Sequence, residues 1–92
     1  MKIKTLVSKY IENTEQVFKA MKIVEQNTMH ITEDRIQEVI AYAEHYLRDA
    51  KYYRDRNEFE TGLASVAYCE GLLDALKLLR MVDFSWPTKQ EK

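Results

Sequence analysis

The sequence predicts an all-α fold, a three-helix up-and-down antiparallel bundle with a short non-helical C-terminal tail. Only two Gly and one Pro occur among 92 residues, and no stretch alternates apolar and polar residues as a half-buried strand does. Three segments of about 24 residues repeat apolar residues at three- and four-residue spacing, and short connections make them antiparallel neighbours. A chain of this length has room for one core, so residues 1–92 are predicted to form a single domain.

The first helix is predicted for residues 2–26. Its seam has a regular 4-3-4 spacing and consists of Ile3, Val7, Tyr10, Thr14, Val17, Met21 and Val24. The stripe is widened by Leu6, Ile11 and Phe18. One face of this helix is therefore expected to pack against the rest of the bundle.

The second helix is predicted for residues 33–56, after a short connection at 27–31. Thr32 is a typical N-cap residue, and Glu33 and Asp34 place two carboxylates in the first turn, where the helix dipole stabilises them. The second seam consists of Ile36, Val39, Ala43, Tyr46, Ala50 and Tyr53.

The third helix, predicted for residues 58–81, is apolar or small nearly all round. We expect Asn57 to end the second helix and cap the third, with Glu60 completing a capping box. One narrow polar strip consists of Glu70, Asp74 and Lys77. Such a helix must be buried on more than one side. We expect the face with Val66 and Leu73 to meet the core and another face to meet a partner.

The tail, residues 82–92, carries two large aromatic side chains. Phe84 and Trp86 are expected to fold back over the end of the bundle, and the residues beyond Pro87 are expected to be disordered.

Composition excludes several classes of protein. The formal net charge of -1 excludes the large basic field that drives non-specific nucleic-acid binding. The single cysteine, Cys69, excludes an internal disulfide and a Cys-based zinc cluster, and is expected to be a small buried residue. No run approaches the roughly 18 apolar residues of a membrane span, and Lys2 and Lys4 lead into amphipathic sequence rather than a signal peptide. We expect a cytoplasmic protein without membrane contact.

We predict no catalytic residue, cofactor or metal site. The nearest approach to a metal site is a cluster on the second helix, Glu38, Glu44, His45 and Asp49. His45 and Asp49 have the i,i+4 spacing that a metal could use, but no second His or Cys shares their face. We therefore expect these four side chains to form a charged, solvent-exposed face rather than a metal site.

A tyrosine-rich flank borders the seam of the second helix. It consists of Tyr42, Tyr46, Asp49, Tyr53 and Arg56. Aromatic rings interleaved with Arg could contact a partner or stack nucleic-acid bases. The simpler interpretation is that amphipathic tyrosines cover the edge of the core with their hydroxyls in water.

Glu70 also admits two interpretations. In an antiparallel bundle it lies level with Tyr46 and with Thr14, which interrupts the first seam, so the three could form a buried polar layer or a small binding site. Alternatively, Glu70 belongs to the solvated strip of the third helix, because unpaired acids are seldom buried.

The outer face of the third helix is the predicted interface. It consists of Ala64, Tyr68, Gly71, Leu72, Ala75 and Leu79. Small residues at 4-3-4 spacing let another helix approach closely, and close approach is one reason to tolerate a mid-helix glycine. We expect a homodimer, or a helical protein partner, to cover this face. The alternative is that the chain's own tail covers it.

The runs DAKYYRDRNEFETGLASV (Asp49 to Val66) and AYCEGLLDALKLL (Ala67 to Leu79) resemble the DUF357 family of small archaeal proteins of unknown function. The resemblance covers the last half of the chain specifically and implies a three-helix up-and-down bundle without an established activity. Fusion of some relatives to a nucleotidyltransferase-like domain implies work near nucleotides. The chain resembles HEPN domains more weakly. It lacks their nuclease motif, an Arg followed four to six residues later by a His.

Three classes of function remain, in a clear order. An interaction or assembly module ranks first, because the surplus apolar surface of the third helix needs explanation beyond the fold. A nucleotide- or RNA-binding accessory module using the tyrosine-rich flank is the alternative, and an enzyme ranks third.

Overall fold

The computed structural model describes residues 2–23 and 31–87, and these residues form three helices. The helices are α1 (Ile3–Ala20), α2 (Glu33–Asp55) and α3 (Phe59–Leu78). The described residues contain no strand, so the prediction of an all-α, three-helix fold is confirmed.

The start of α2 is determined by its N-cap. The side-chain oxygen of Thr32 accepts a hydrogen bond from the backbone N–H of Arg35 at 3.3 Å, and Glu33 and Asp34 occupy the first turn. This satisfies one of the backbone donors that a helix start leaves free. The predicted cap and start of this helix are confirmed.

Asn57 ends α2 but does not cap α3. Its φ of 62° places it in the left-handed region, which Asn tolerates better than most residues. Its N–H donates to the carbonyl of Arg54 at 3.0 Å, and the N–H of Glu58 donates to the carbonyl of Tyr53 at 2.8 Å, which is a Schellman motif. Glu58 is the N-cap of α3 and makes no side-chain cap hydrogen bond. The predicted capping box is wrong, because the sharp turn gives Asn57 the role of helix terminator.

α2 and α3 pack against each other as an antiparallel hairpin. They approach each other closely at Gly62, where a Cβ would lie only 3.3 Å from the carbonyl oxygen of Ala50. Ala43 on α2 and Cys69 and Leu76 on α3 are also buried. Gly62, Cys69 and Leu76 follow a seven-residue spacing and so occupy one face of α3, which we call its inner face.

The inner face differs from the one predicted. Val66 and Leu73, which were expected to point at the core, are only half-buried. Because α3 is apolar nearly all round, the pattern of hydrophobic residues does not select one face. The close approach that Gly62 permits selects it instead.

α1 stands apart from the hairpin. It makes no close backbone contact with α2 or α3, and every residue from Ile3 to Ala20 is exposed except the half-buried Leu6. The radius of gyration is 16.4 Å, against about 12 Å for a compact chain of this length. The predicted packing of the first seam on the bundle is therefore not seen within the chain.

The helix also ends earlier than predicted. Met21 is extended, with φ −67° and ψ 138°, whereas the predicted helix continues to residue 26 and its seam to Val24. A helix without tertiary contacts has little stability of its own, so its last turn is not held. Val24 and the predicted connection through His30 lie outside the described residues.

The tail folds back on α3. A second Schellman motif at Arg80, whose φ is 61°, turns the chain. The indole N–H of Trp86 then donates to a carboxylate oxygen of Asp74 at 2.7 Å. The Phe84 ring lies edge-on to Trp86 with centroids 5.0 Å apart, and the Lys77 ammonium lies 4.9 Å from the Phe84 centroid. The two aromatics thus cover the C-terminal half of one side of α3, and the predicted disorder beyond Pro87 lies outside the described residues.

Candidate interaction surface

The outer face of α3 is exposed in the single chain. The six residues predicted for the interface are Ala64, Tyr68, Gly71, Leu72, Ala75 and Leu79. All are exposed except Leu72, which is half-buried. A shallow hollow of about 460 Å³ along this face is lined by Ala64, Ala67, Tyr68, Gly71 and Leu72. At 100° per residue Ala64, Ala67 and Gly71 lie roughly opposite the inner face, whereas Tyr68 and Leu72 lie nearer its edge. The tail covers the side of α3 with Asp74 and Lys77 and leaves the outer face open.

Gly71 packs against nothing in the part of the chain that the structure describes. A Cβ placed on it would meet nothing within 4 Å, whereas one on Gly62 would crowd the backbone of α2. A mid-helix glycine costs about 1 kcal/mol relative to alanine. At Gly62 the close packing against α2 explains why a glycine is present in spite of this cost. At Gly71 the described structure gives no such explanation.

Tyr68 connects the outer face to the tyrosine-rich flank. Its ring stacks on that of Tyr46, with centroids 5.0 Å apart and planes inclined by 16°. This contact joins α3 to α2 across the edge of the hairpin. Tyr42 is exposed, whereas Asp49 and Tyr53 are half-buried, so the flank borders the helix contact as predicted.

Arg56 belongs to a different cluster from the one predicted. Its guanidinium lies 5.3 Å from the centroid of the Tyr52 ring, and Tyr52 packs edge-on against Tyr53 with centroids 5.3 Å apart. Arg56 also pairs with Glu58 at 3.5 Å. Tyr52 was missed because it points away from the seam, although its i,i+4 spacing to Arg56 is the signal that could have identified the contact.

The predicted polar layer does not form within the chain. Glu70 and Thr14 are both exposed, and α1 makes no close backbone contact with the hairpin. Glu70 lies on the same side of α3 as the other polar residues of the strip, so the alternative, a solvated strip, describes it better. The physical reason is that α1 is separated from the hairpin, so Thr14 cannot reach Tyr46 or Glu70.

The charged cluster on α2 makes local contacts. A ring nitrogen of His45 lies 3.3 Å from the Arg48 guanidinium, and Glu38 pairs with Arg35 at 2.8 Å. Within residues 2–23 and 31–87, no three His, Cys, Asp or Glu side chains come together as a metal site requires.

Cys69 lies in the hairpin core, as predicted. It is 6% exposed. Burial, and to a smaller degree the neighbouring Glu70 carboxylate, raises the pKa of its thiol above the ordinary value of 9.0. A thiol that ionises with difficulty is a poor nucleophile, so this cysteine has the properties of a core residue.

A second apolar surface, which we call the lateral groove, runs along one side of the hairpin. Its volume is about 350 Å³, and its apolar lining includes Leu47, Ala50, Phe59, Leu63 and Val66, with Lys51 and Arg54 at the rim. Leu63 is 69% exposed and Phe59 is 62% exposed. Sequence reasoning missed this groove, because its two walls come from different helices and depend on how they pair.

Comparison with known families gives a match over most of the chain. Residues 9–82 match the family described as "Protein of unknown function (DUF357)". The chain belongs to the DUF357 family. No curated protein and no solved structure matches it.

The part shared with other DUF357 proteins includes all of α2 and α3 and the part of α1 that begins at Lys9. Both apolar surfaces of the hairpin therefore lie inside the shared region, whereas Phe84 and Trp86 lie beyond it. No described helix of this DUF357 chain has the length and apolar character that crossing a membrane requires.

Proposed function

We propose that this DUF357 chain is an assembly module that joins a second copy of itself through the outer face of α3. The observation that carries this proposal is the exposure of an apolar, small-residue face in the single chain. Soluble monomers rarely leave contiguous apolar patches of more than a few hundred Å² exposed. A second copy is the simplest cover, since most soluble oligomers are symmetric dimers of one chain.

The residue types of the outer face favour a helix partner. Ala64, Gly71 and Ala75 are small enough for two helix backbones to approach closely, and Leu72 and Leu79 at the edge add apolar area. In a two-fold pair each Gly71 faces the same surface of the other chain. Close approach at that point is the reason for a glycine that packing within the chain does not require.

A nucleotide- or RNA-binding function has weaker support. The rings of Tyr46 and Tyr68 stack on each other, and Arg56 lies over Tyr52, so these groups already have partners within the chain. The net charge of -1 supplies no basic field for a phosphate backbone.

The test is the mass of the full-length protein in solution, measured by chromatography with light scattering. Gly71→Glu and Ala75→Glu each place a charge in the proposed interface without touching the hairpin core. Each should halve the mass of the assembly and leave the helical circular dichroism unchanged. Ala41→Glu is the matched control, because Ala41 is also an exposed helical alanine but lies on α2, away from the outer face; it should leave the mass unchanged.

Two results count against the proposal. The unchanged protein could remain a single chain at high micromolar concentration, which would exclude self-association. Alternatively, Gly71→Glu and Ala75→Glu could behave as Ala41→Glu does, which would place the interface elsewhere.

A further inference from the structure

Self-association through the outer face of α3 would leave two other apolar surfaces uncovered. One is the lateral groove. The other is the apolar face of α1, formed by Val7, Tyr10, Ile11, Val17 and Phe18, all of which are exposed. Phe18 is 70% exposed, about the same as Leu63 in the groove at 69%.

The accessible surface shows that one ordinary interface is too small for this chain. It exposes 8757 Å², which is about 3,000 Å² more than a compact folded chain of 10.9 kDa. A standard interface hides about 800 Å² on each partner. Contact at the outer face alone therefore leaves most of the excess exposed, and all but one of the residues of α1 are exposed.

The two surfaces fit each other. The lateral groove lies between two antiparallel helices, where a third helix of a bundle normally packs and touches both. α1 has 18 residues and is about 27 Å long, enough to cover the groove from Phe59 to Val66. The other end of the same side of α3 is already covered by Phe84 and Trp86 of the tail, so chain segments with apolar residues do cover this side of the hairpin.

We infer that α1 of one chain packs in the lateral groove of a second copy, and that the exchange is reciprocal. In the structure α1 does not lie in its own groove, although both surfaces are open in one chain. A two-fold exchange covers both surfaces in both chains with two equivalent contacts. The contact is separate from the outer face, because the lateral groove and the hollow on the outer face share no lining residue.

The experiment uses the full-length chain carrying Gly71→Glu, so that contact through the outer face does not contribute to the mass. Ile11→Lys on α1 and Leu63→Lys in the groove each put a charge into the proposed contact. Lysine is preferred in the groove, because Lys51 and Arg54 at its rim would offset an acid. The matched controls are Gln16→Lys on the polar face of α1 and Thr61→Lys on another side of α3.

When both contacts form, the unchanged protein contains four chains, and loss of the outer-face contact halves that number, so the Gly71→Glu chain and its two control variants should be dimers. The Ile11→Lys and Leu63→Lys variants should have half the mass of these dimers. Mixing these two variants in equal amounts should restore a dimer, since one intact α1 then meets one intact groove. This gain in mass arises only when α1 packs on a different chain, and it cannot come from a variant that fails to fold.

The inference and the proposed function fail in different ways. If the Gly71→Glu chain is already a single chain, contact through the outer face accounts for the assembly and the exchange is excluded. If the mixture of variants stays monomeric while each variant is folded, α1 does not act between chains. If Ile11→Lys and Leu63→Lys leave the Gly71→Glu dimer intact, the dimer uses neither surface.

Discussion

The inner and outer faces of α3 each carry a glycine, and the structure needs only one of them. Gly62 lies against the backbone of Ala50, where a side chain has no room, whereas Gly71 faces open space. Packing within the described part of the chain therefore explains the glycine at position 62 but does not explain the glycine at position 71. The comparison supports the proposal that the outer face is covered by another molecule.

The largest difference between the two faces is expected for leucine truncation. Leu76, on the inner face, is 4% exposed, whereas Leu78, seven residues after Gly71 and so on the same side of α3 as that glycine, is 83% exposed. In the Gly71→Glu chain, Leu76→Ala should lower the free energy of unfolding by about 2–4 kcal/mol, because it leaves a cavity in the hairpin. Leu78→Ala should change it by less than about 0.5 kcal/mol. Urea unfolding followed by circular dichroism measures both, and equal losses would mean that the inner face is misassigned.

The two glycines themselves give the next largest effect. Gly62→Leu should lower the free energy of unfolding by about 1–3 kcal/mol, because the side chain would force α2 and α3 apart. Gly71→Leu should leave it unchanged or raise it by up to about 1 kcal/mol through helix propensity. The same variant should weaken self-association, because a large side chain blocks close approach. A similar loss of stability at both positions would remove the distinction between the faces.

Smaller effects on the free energy of unfolding are expected at Asn57 and Arg80, the residues that end α2 and α3. Arg80 adopts a φ of 61° and Asn57 a φ of 62°, a conformation that is strained for arginine but tolerated by asparagine. Arg80→Gly should raise the free energy of unfolding by about 0.5–1 kcal/mol, whereas Asn57→Gly should change it by only a few tenths. Thermal and urea unfolding of the two variants side by side provide the measurement. A larger gain at residue 57 would contradict the assignment of strain to Arg80.

The smallest expected effect is a change in stability with pH that arises on the inner face. The pKa of the Cys69 thiol is raised above its ordinary value of 9.0, so the folded chain keeps its proton more firmly than the unfolded chain. The stabilising contribution of the neutral thiol is complete below pH 9.0 and is lost as the pH rises through the folded-state pKa. Unfolding curves at increasing pH should therefore show a decline that Cys69→Ala reduces. An identical decline in both proteins would exclude the thiol as its source.

Much of the local structure follows from the sequence alone. The N-cap at Thr32, the start of α2 and the burial of Cys69 depend on neighbours within a few residues, and each is confirmed. The outer face of α3 was also predictable, because a helix advances 100° per residue and so brings Ala64, Gly71 and Ala75 to one side wherever the helix lies.

Only the tertiary structure decided which surfaces meet. A helix that is apolar nearly all round has no single face that hydrophobic burial prefers. The close approach at Gly62, rather than the Val66 and Leu73 pattern, therefore set the inner face. The lateral groove exists only because α2 and α3 pair in this register. The predicted layer of Thr14, Tyr46 and Glu70 needed α1 on the hairpin, and sequence periodicity shows that a face is apolar without specifying what covers it.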